Sequence, residues 1–113
     1  KSIIYDFDRD GDLDIAITSF FPDLMHSPEE GFIFMENVHT SDSVQFDLYS
    51  IEQATFGRWI TMEAVDLDQD DFPELVLGSF TGMTINGDVD GKIAEKYVEN
   101  SPTLMFLKFE GNP

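Results

Sequence analysis

The chain has 113 residues, room for one ordinary domain, and 42% of them are hydrophobic, including 11 phenylalanines. Acidic residues outnumber basic ones by 23 to 6, which gives a formal net charge of −17. A field of this sign repels polyanions and argues against a nucleic-acid partner. Cysteine is absent, which excludes a disulfide framework and thiol chemistry. No apolar run approaches the roughly 20 residues of a membrane span.

Short apolar or β-branched runs bounded by turn residues predict seven strands. In chain order these are residues 1–5, 13–20, 32–37, 44–50, 59–65, 74–80 and 103–109. The fourth run alternates apolar and polar residues, as a half-exposed outer strand does. Residues 92–99 have a helix-like pattern, with Pro102 just beyond its end. The pattern therefore indicates an all-β chain with one short helical insertion.

Two acidic loops stand between predicted strands, 60 residues apart. They read Asp6-Phe-Asp8-Arg-Asp10-Gly11-Asp12-Leu-Asp14 and Asp66-Leu-Asp68-Gln-Asp70-Asp71-Phe72-Pro-Glu74. Each loop has carboxylates at positions one, three, five and nine. Calcium takes six to eight oxygen ligands, so this spacing predicts two calcium sites. An EF-hand is excluded, because position twelve is Ile17 or Leu77 and not the bidentate Glu which that motif needs.

The second loop departs from the first at two positions. Asp71 replaces the glycine at position six, where the chain usually needs a positive φ, and Glu74 replaces an aspartate at position nine. Aspartate tolerates positive φ better than most residues other than glycine, so the loop is feasible but strained. We therefore expect the second site to be the weaker of the two.

These features resemble the FG-GAP or VCBS-like repeat, the blade unit of integrin-α-type β-propellers. The resemblance rests on the two loops, on the runs at residues 15–20 and 75–80, which end in Ser19-Phe20 and Ser79-Phe80, and on the later strands at 32–37 and 104–109. It covers most of the chain as two successive repeats, residues 1–57 and 58–113. The implied fold is two four-stranded-type antiparallel blades of one larger propeller, the second without its outer strand.

In that family calcium lies in the loop that joins the first two strands of a blade. Carried over by position, the resemblance implies two sets of ligands. The first is Asp6, Asp8, Asp10, the backbone carbonyl of Asp12, and Asp14. The second is Asp66, Asp68, Asp70, the backbone carbonyl of Phe72, and Glu74. Calcium would neutralise the clustered carboxylates and fix a long turn.

Other candidate sites are weaker. Asn86, Asp88 and Asp90 imitate the first half of a calcium loop, but position nine is Ala94, so a turn that caps the following helix is the better interpretation. His26 and His39 have no metal-ligand spacing, and no catalytic motif is present. We therefore predict no enzyme activity for this segment. Trp59 opens a strand and is expected to pack in the core.

The resemblance implies a structural and recognition module of a secreted, periplasmic or cell-surface protein, with a protein or glycan ligand. Calcium loops of modest affinity need more calcium than the cytosol offers, which favours the same setting. The alternative is an accessory or catalytic propeller segment of a carbohydrate-active enzyme. Two blades alone would leave inner-strand side chains facing water, namely Ile3, Ile4, Trp59, Ile60 and Met62. We therefore expect self-association or contacts with further blades.

Overall fold

A computed structural model describes residues 1–19, 22–80 and 88–110 of the chain. Phe20 and Asn86, which figure in the predicted repeat and in the possible third ion site, lie outside this part. The fold is mostly β, with two antiparallel sheets of four and three strands and one α-helix. The described residues form no closed barrel.

The first sheet contains β1 (Ser2–Tyr5), β2 (Asp14–Thr18), β3 (Phe32–Asn37) and β4 (Phe46–Tyr49), in the order β1-β2-β3-β4. The second contains β5 (Trp59–Val65), β6 (Glu74–Ser79) and β7 (Leu104–Leu107), in the order β5-β6-β7. Helix α1 (Lys92–Asn100) precedes β7, and two 3-10 helices span Pro28–Gly31 and Glu52–Phe56. Each sheet is thus a meander in which consecutive strands pair.

The predicted elements are confirmed, with end points that differ by at most two residues. Strands β3 and β5 have the predicted bounds, and the helix extends one residue beyond its predicted end. The fourth strand lies at the edge of its sheet, as its alternating pattern indicates. The two 3-10 helices were not predicted, because their short sequences carry no helical period.

One buried cluster joins the two sheets. Its members are Phe7, Ala16, Phe32, Ala54, Trp59, Met62, Leu75 and Leu77. Trp59 and Met62 are 0% and 1% exposed. The expectation that a two-blade segment would leave these two side chains facing water was therefore wrong, because the two sheets bury them against each other. Ile4, by contrast, is 61% exposed, as expected for a strand with no covering neighbour.

Trp59 is held by the chain that leads into β5. Its indole Nε1 donates a hydrogen bond to the carbonyl of Ala54 at 3.1 Å, inside the 3-10 helix. A Cβ at Gly57 would lie 2.9 Å from the indole ring, closer than carbon atoms pack. Glycine at this position lets the backbone pass directly over the ring. The predicted core role of Trp59 is confirmed.

Phe109, two residues after β7, connects the second sheet to the first. Its ring centroid lies 4.8 Å from that of Phe7 and 4.9 Å from that of Phe34. Strand β5 also contacts β1 and β2. The end of the second unit is therefore packed beside the turn that follows β1.

We expect Phe109→Ala to lower the free energy of unfolding by about 2–3 kcal/mol, less than for a fully buried phenylalanine, because it removes the aromatic contact between the sheets. Phe106→Ala is the matched control. Phe106 is 57% exposed on β7 itself, and Phe106→Ala should lower the free energy of unfolding by about 0.5 kcal/mol or less. Urea denaturation measures both variants, and equal effects would contradict a docking role for Phe109.

Candidate metal centre

The two acidic loops join the first two strands of each sheet. The first occupies the connection from β1 to β2 and the second the connection from β5 to β6. Each loop lies between two strands that pair antiparallel, with Tyr5 opposite Asp14 in the first sheet and Val65 opposite Glu74 in the second. The carboxylate at position nine of each loop therefore begins a strand, and the remaining carboxylates lie in the turn above it.

The two turns share one backbone conformation. Position four has a positive φ in both, 63° at Arg9 and 60° at Gln69. Position six does as well, 95° at Gly11 and 73° at Asp71. The predicted positive φ of Asp71 is confirmed. Two left-handed residues separated by one residue curl each chain tightly, so that alternate side chains face the same point.

The two turns also share their hydrogen bonds. At position one, Asp6 accepts from the N–H groups of Asp10 and Gly11, at 3.1 and 2.9 Å. In the second loop, Asp66 accepts from Asp70 and Asp71, at 3.1 and 3.0 Å. The carboxylate at position five accepts the N–H of position seven at 2.9 Å in both loops. The repeat seen in the sequence is therefore a repeat of local structure.

Position nine distinguishes the loops. The Asp14 side chain is 0% exposed, and backbone N–H groups donate to both of its oxygens: Phe7 at 3.0 Å to Oδ2 and Asn37 at 2.9 Å to Oδ1. Glu74 accepts the N–H of Leu67 at 2.7 Å through Oε2 only. The Asp14 carboxylate thus links its loop to β3 by a hydrogen bond from Asn37. Oε1 of Glu74, by contrast, has no hydrogen-bond partner and is available to a ligand.

Carboxylate oxygens converge in each loop. Asp6, Asp8 and Asp10 each offer an oxygen within 4.8 Å of the others, and Asp66, Asp68, Asp70 and Glu74 do the same. Oxygens that bind calcium at about 2.3–2.6 Å lie within roughly 5 Å of one another, so both groups have the spacing of a cation site. Asp14 is not in the first group, and its role as a ligand stays a prediction.

A buried oxygen without a hydrogen-bond partner lies in each loop. These atoms are Oδ2 of Asp8 and Oε1 of Glu74, on residues that are 9% and 6% exposed. A buried carboxylate oxygen is costly unless a donor or a cation satisfies it. The residues therefore fit a cation bound by oxygen atoms. The loops contain no histidine or cysteine, so the donor set suits calcium rather than zinc.

The pKa of Asp8 reflects the burial and crowding of carboxyl groups in the first loop. Burial, followed by contacts with the side chains and charges of Asp10, Asp14 and Glu36, raises this pKa from 3.8 to about 7. Glu36 is a residue that the sequence interpretation missed. It lies on β3, and no spacing rule connects it with a loop about 30 residues earlier.

The second loop contains cations from the chain itself. The Lys108 ammonium forms ion pairs with Asp68 and, at 3.3 Å, with Asp70. The hydrogen bond from Lys108 is the main cause of a lowered pKa at Asp68, and Asp68 in turn raises the pKa of Lys108. Arg9 of the first loop lies 3.2 Å above the Phe72 ring and 4.0 Å from Asp70. The sequence interpretation missed both basic residues.

The remaining candidates lie outside the two oxygen clusters. Asp12 pairs through its side chain with His39 at 3.5 Å, and His26 pairs with Asp23 at 3.1 Å. Asp88 accepts the N–H groups of Ile93 and Ala94, at 3.1 and 2.9 Å, and so caps α1. The capping interpretation of this turn is confirmed.

Comparison of the chain with family models, with curated proteins and with solved structures finds no match. The described part of the chain contains no helix with the length and apolar character of a membrane span. The function is therefore argued from the geometry of the two loops.

In the presence of a chelator, we expect the free energy of unfolding to fall as the pH rises from about 4 to 7. The folded state binds the Asp8 proton more tightly than the unfolded state, because its pKa is about 7 against 3.8, and this contribution vanishes once Asp8 ionises. Asp8→Asn cannot titrate and should gain stability over the wild type across this range. Thermal melts of both proteins in EDTA at several pH values measure the difference, and parallel curves would contradict the prediction.

Proposed function

We propose that this chain is a calcium-binding segment of a β-propeller, in which each sheet is a blade and calcium holds the turn between its first two strands. The observation that carries the proposal is the repeated loop. Two turns 60 residues apart share one backbone conformation and the hydrogen bonds of the carboxylates at positions one and five. Each also has one buried oxygen without a partner, on Asp8 in the first and on Glu74 in the second. Because a buried oxygen without a partner costs free energy, its presence in both turns favours a ligand that both turns bind.

The chemistry favours calcium. All the converging ligands are carboxylates, which suit a hard cation, and calcium accepts irregular sets of six to eight oxygens. Magnesium is smaller, needs octahedral geometry and retains its waters, so it suits these crowded loops less well. Backbone carbonyls of Asp12 and Phe72, with water, would complete the ligand set. A bound cation would satisfy the buried oxygens and relieve the repulsion that raises the pKa of Asp8.

The sheet topology supports the blade assignment. Strands follow each other in sequence within each sheet, and the acidic loop always joins the first strand to the second. Strands β1 and β5, which would line the centre of a propeller, contact each other. On the outermost described strand, Leu104 and Phe106 are 51% and 57% exposed. A further blade would cover such residues.

The role that follows is structural and recognition-related. Calcium would act as a clamp that keeps the blade turns ordered, and loops of the assembled propeller would bind a protein or glycan ligand. Loops of this kind bind calcium at the concentrations found outside the cytosol. A secreted, periplasmic or surface protein is therefore the proposed setting.

Calorimetric titration of the chelated protein tests the proposal. We expect calcium uptake that is lost from the first loop in Asp8→Asn with Asp10→Asn, and from the second in Asp66→Asn with Asp68→Asn. A ligand that binds only the folded state stabilises it by about 2.7 kcal/mol at a hundredfold excess over Kd. Melting temperatures should therefore rise with calcium, and much less with magnesium.

The matched control is Asp42→Asn with Glu52→Gln, which removes the same charge at two exposed positions outside the loops. This variant should bind calcium as the wild type does. No uptake by the wild type, or equal uptake by the loop variants and the control, would refute the proposal.

A further inference from the structure

One structural position carries opposite charges in the two units. In the first sheet Ile15 on β2 pairs with Met35 on β3, and in the second Leu75 on β6 pairs with Leu107 on β7. Ile15 and Leu75 are equivalent by the 60-residue offset, so Met35 corresponds to Leu107. The next residues along the chain, Glu36 and Lys108, therefore occupy the same place beneath their loops.

Both residues reach position three of their own loop. The Glu36 carboxyl contacts the Asp8 carboxyl and also accepts a hydrogen bond from Tyr49. The Lys108 ammonium pairs with Asp68, the equivalent of Asp8, and with Asp70. The first loop thus gains a further negative charge, whereas the second gains a positive charge from the chain itself.

Neighbouring residues hold the Lys108 backbone in place. Leu107 lies in the ladder with β6, and the Phe109 ring stacks on Phe7. The Lys108 side chain is 49% exposed, so it has room to leave the loop when another cation enters. Oε1 of Glu74, at the base of the second cluster, still lacks a hydrogen-bond partner, so the ammonium does not satisfy the whole site.

We propose that this position sets the cation preference of each loop: Glu36 strengthens calcium binding at the first loop, and Lys108 is an intramolecular cation that competes with calcium at the second. The inference rests on the proposed calcium function and adds a residue-level reason why the sites differ. A calcium ion entering the second loop must displace the ammonium or approach it against charge repulsion. At the first loop, a calcium ion would instead be attracted by one further carboxylate, that of Glu36.

The test measures each loop with the other one silenced. With the first loop silenced by Asp6→Asn and Asp10→Asn, calorimetry gives the calcium Kd of the second loop. Lys108→Met should lower this Kd about tenfold, the effect of one unit charge about 5 Å from a divalent ion in water. Lys108→Gln should do the same and covers the case in which the methionine variant fails to fold, as judged by circular dichroism.

The reciprocal measurement uses the first loop. With the second loop silenced by Asp66→Asn and Asp70→Asn, Glu36→Gln should raise the calcium Kd of the first loop about tenfold. The controls are Lys1→Met and Glu63→Gln, which disrupt an exposed ion pair of 3.3 Å outside both loops. Lys1 and Lys108 have similar side-chain exposure, 47% and 49%, and the controls should change either Kd less than twofold.

The outcomes separate the two claims. Calcium binding whose Kd shifts no more in the Lys108 and Glu36 variants than in the controls would overturn this inference and leave the proposed function standing. No calcium uptake in either background, with or without these substitutions, would overturn both. A tenfold shift in opposite directions at the two loops supports both.

Discussion

The structure depends on the crowding of carboxylates at two hairpin turns. Each turn curls through left-handed residues at positions four and six, which direct alternate carboxylates inward. Water cannot reach every oxygen in such a turn, and burial leaves Oδ2 of Asp8 and Oε1 of Glu74 without partners. Repulsion and desolvation at these turns act against the fold, and positive charge placed there would offset both.

The surrounding fold anchors both turns. Each turn begins and ends in paired strands, and the position-nine carboxylate is anchored beneath it by backbone N–H groups. The shared core and the Phe109 contact bring the two units together, and Arg9 bridges the loops from one side. A cation bound in either turn would therefore stabilise the hairpin and, through it, the packing of one sheet on the other.

Local features were predictable because they depend on short-range sequence. Apolar runs and turn residues define the seven strands, and the spacing of Asp8 or Asp68 between other acids defines the loops. The partners of those acids were not predictable. Glu36 and Lys108 reach the loops only through strand register, and Met62 is buried by a contact between the sheets that neither sheet alone would have. Sequence periodicity predicts which side chains face inward, but it does not predict which residues those side chains contact.

The most direct measurement is a crystal structure determined from crystals grown in calcium, with anomalous scattering to identify the ions. The account predicts an anomalous peak in the first loop bounded by Asp6, Asp8 and Asp10, with oxygen ligands at about 2.3–2.6 Å. At higher calcium it predicts a second peak among Asp66, Asp68, Asp70 and Glu74, with Lys108 moved away from Asp68. Ordered loops with no peak at millimolar calcium would contradict it.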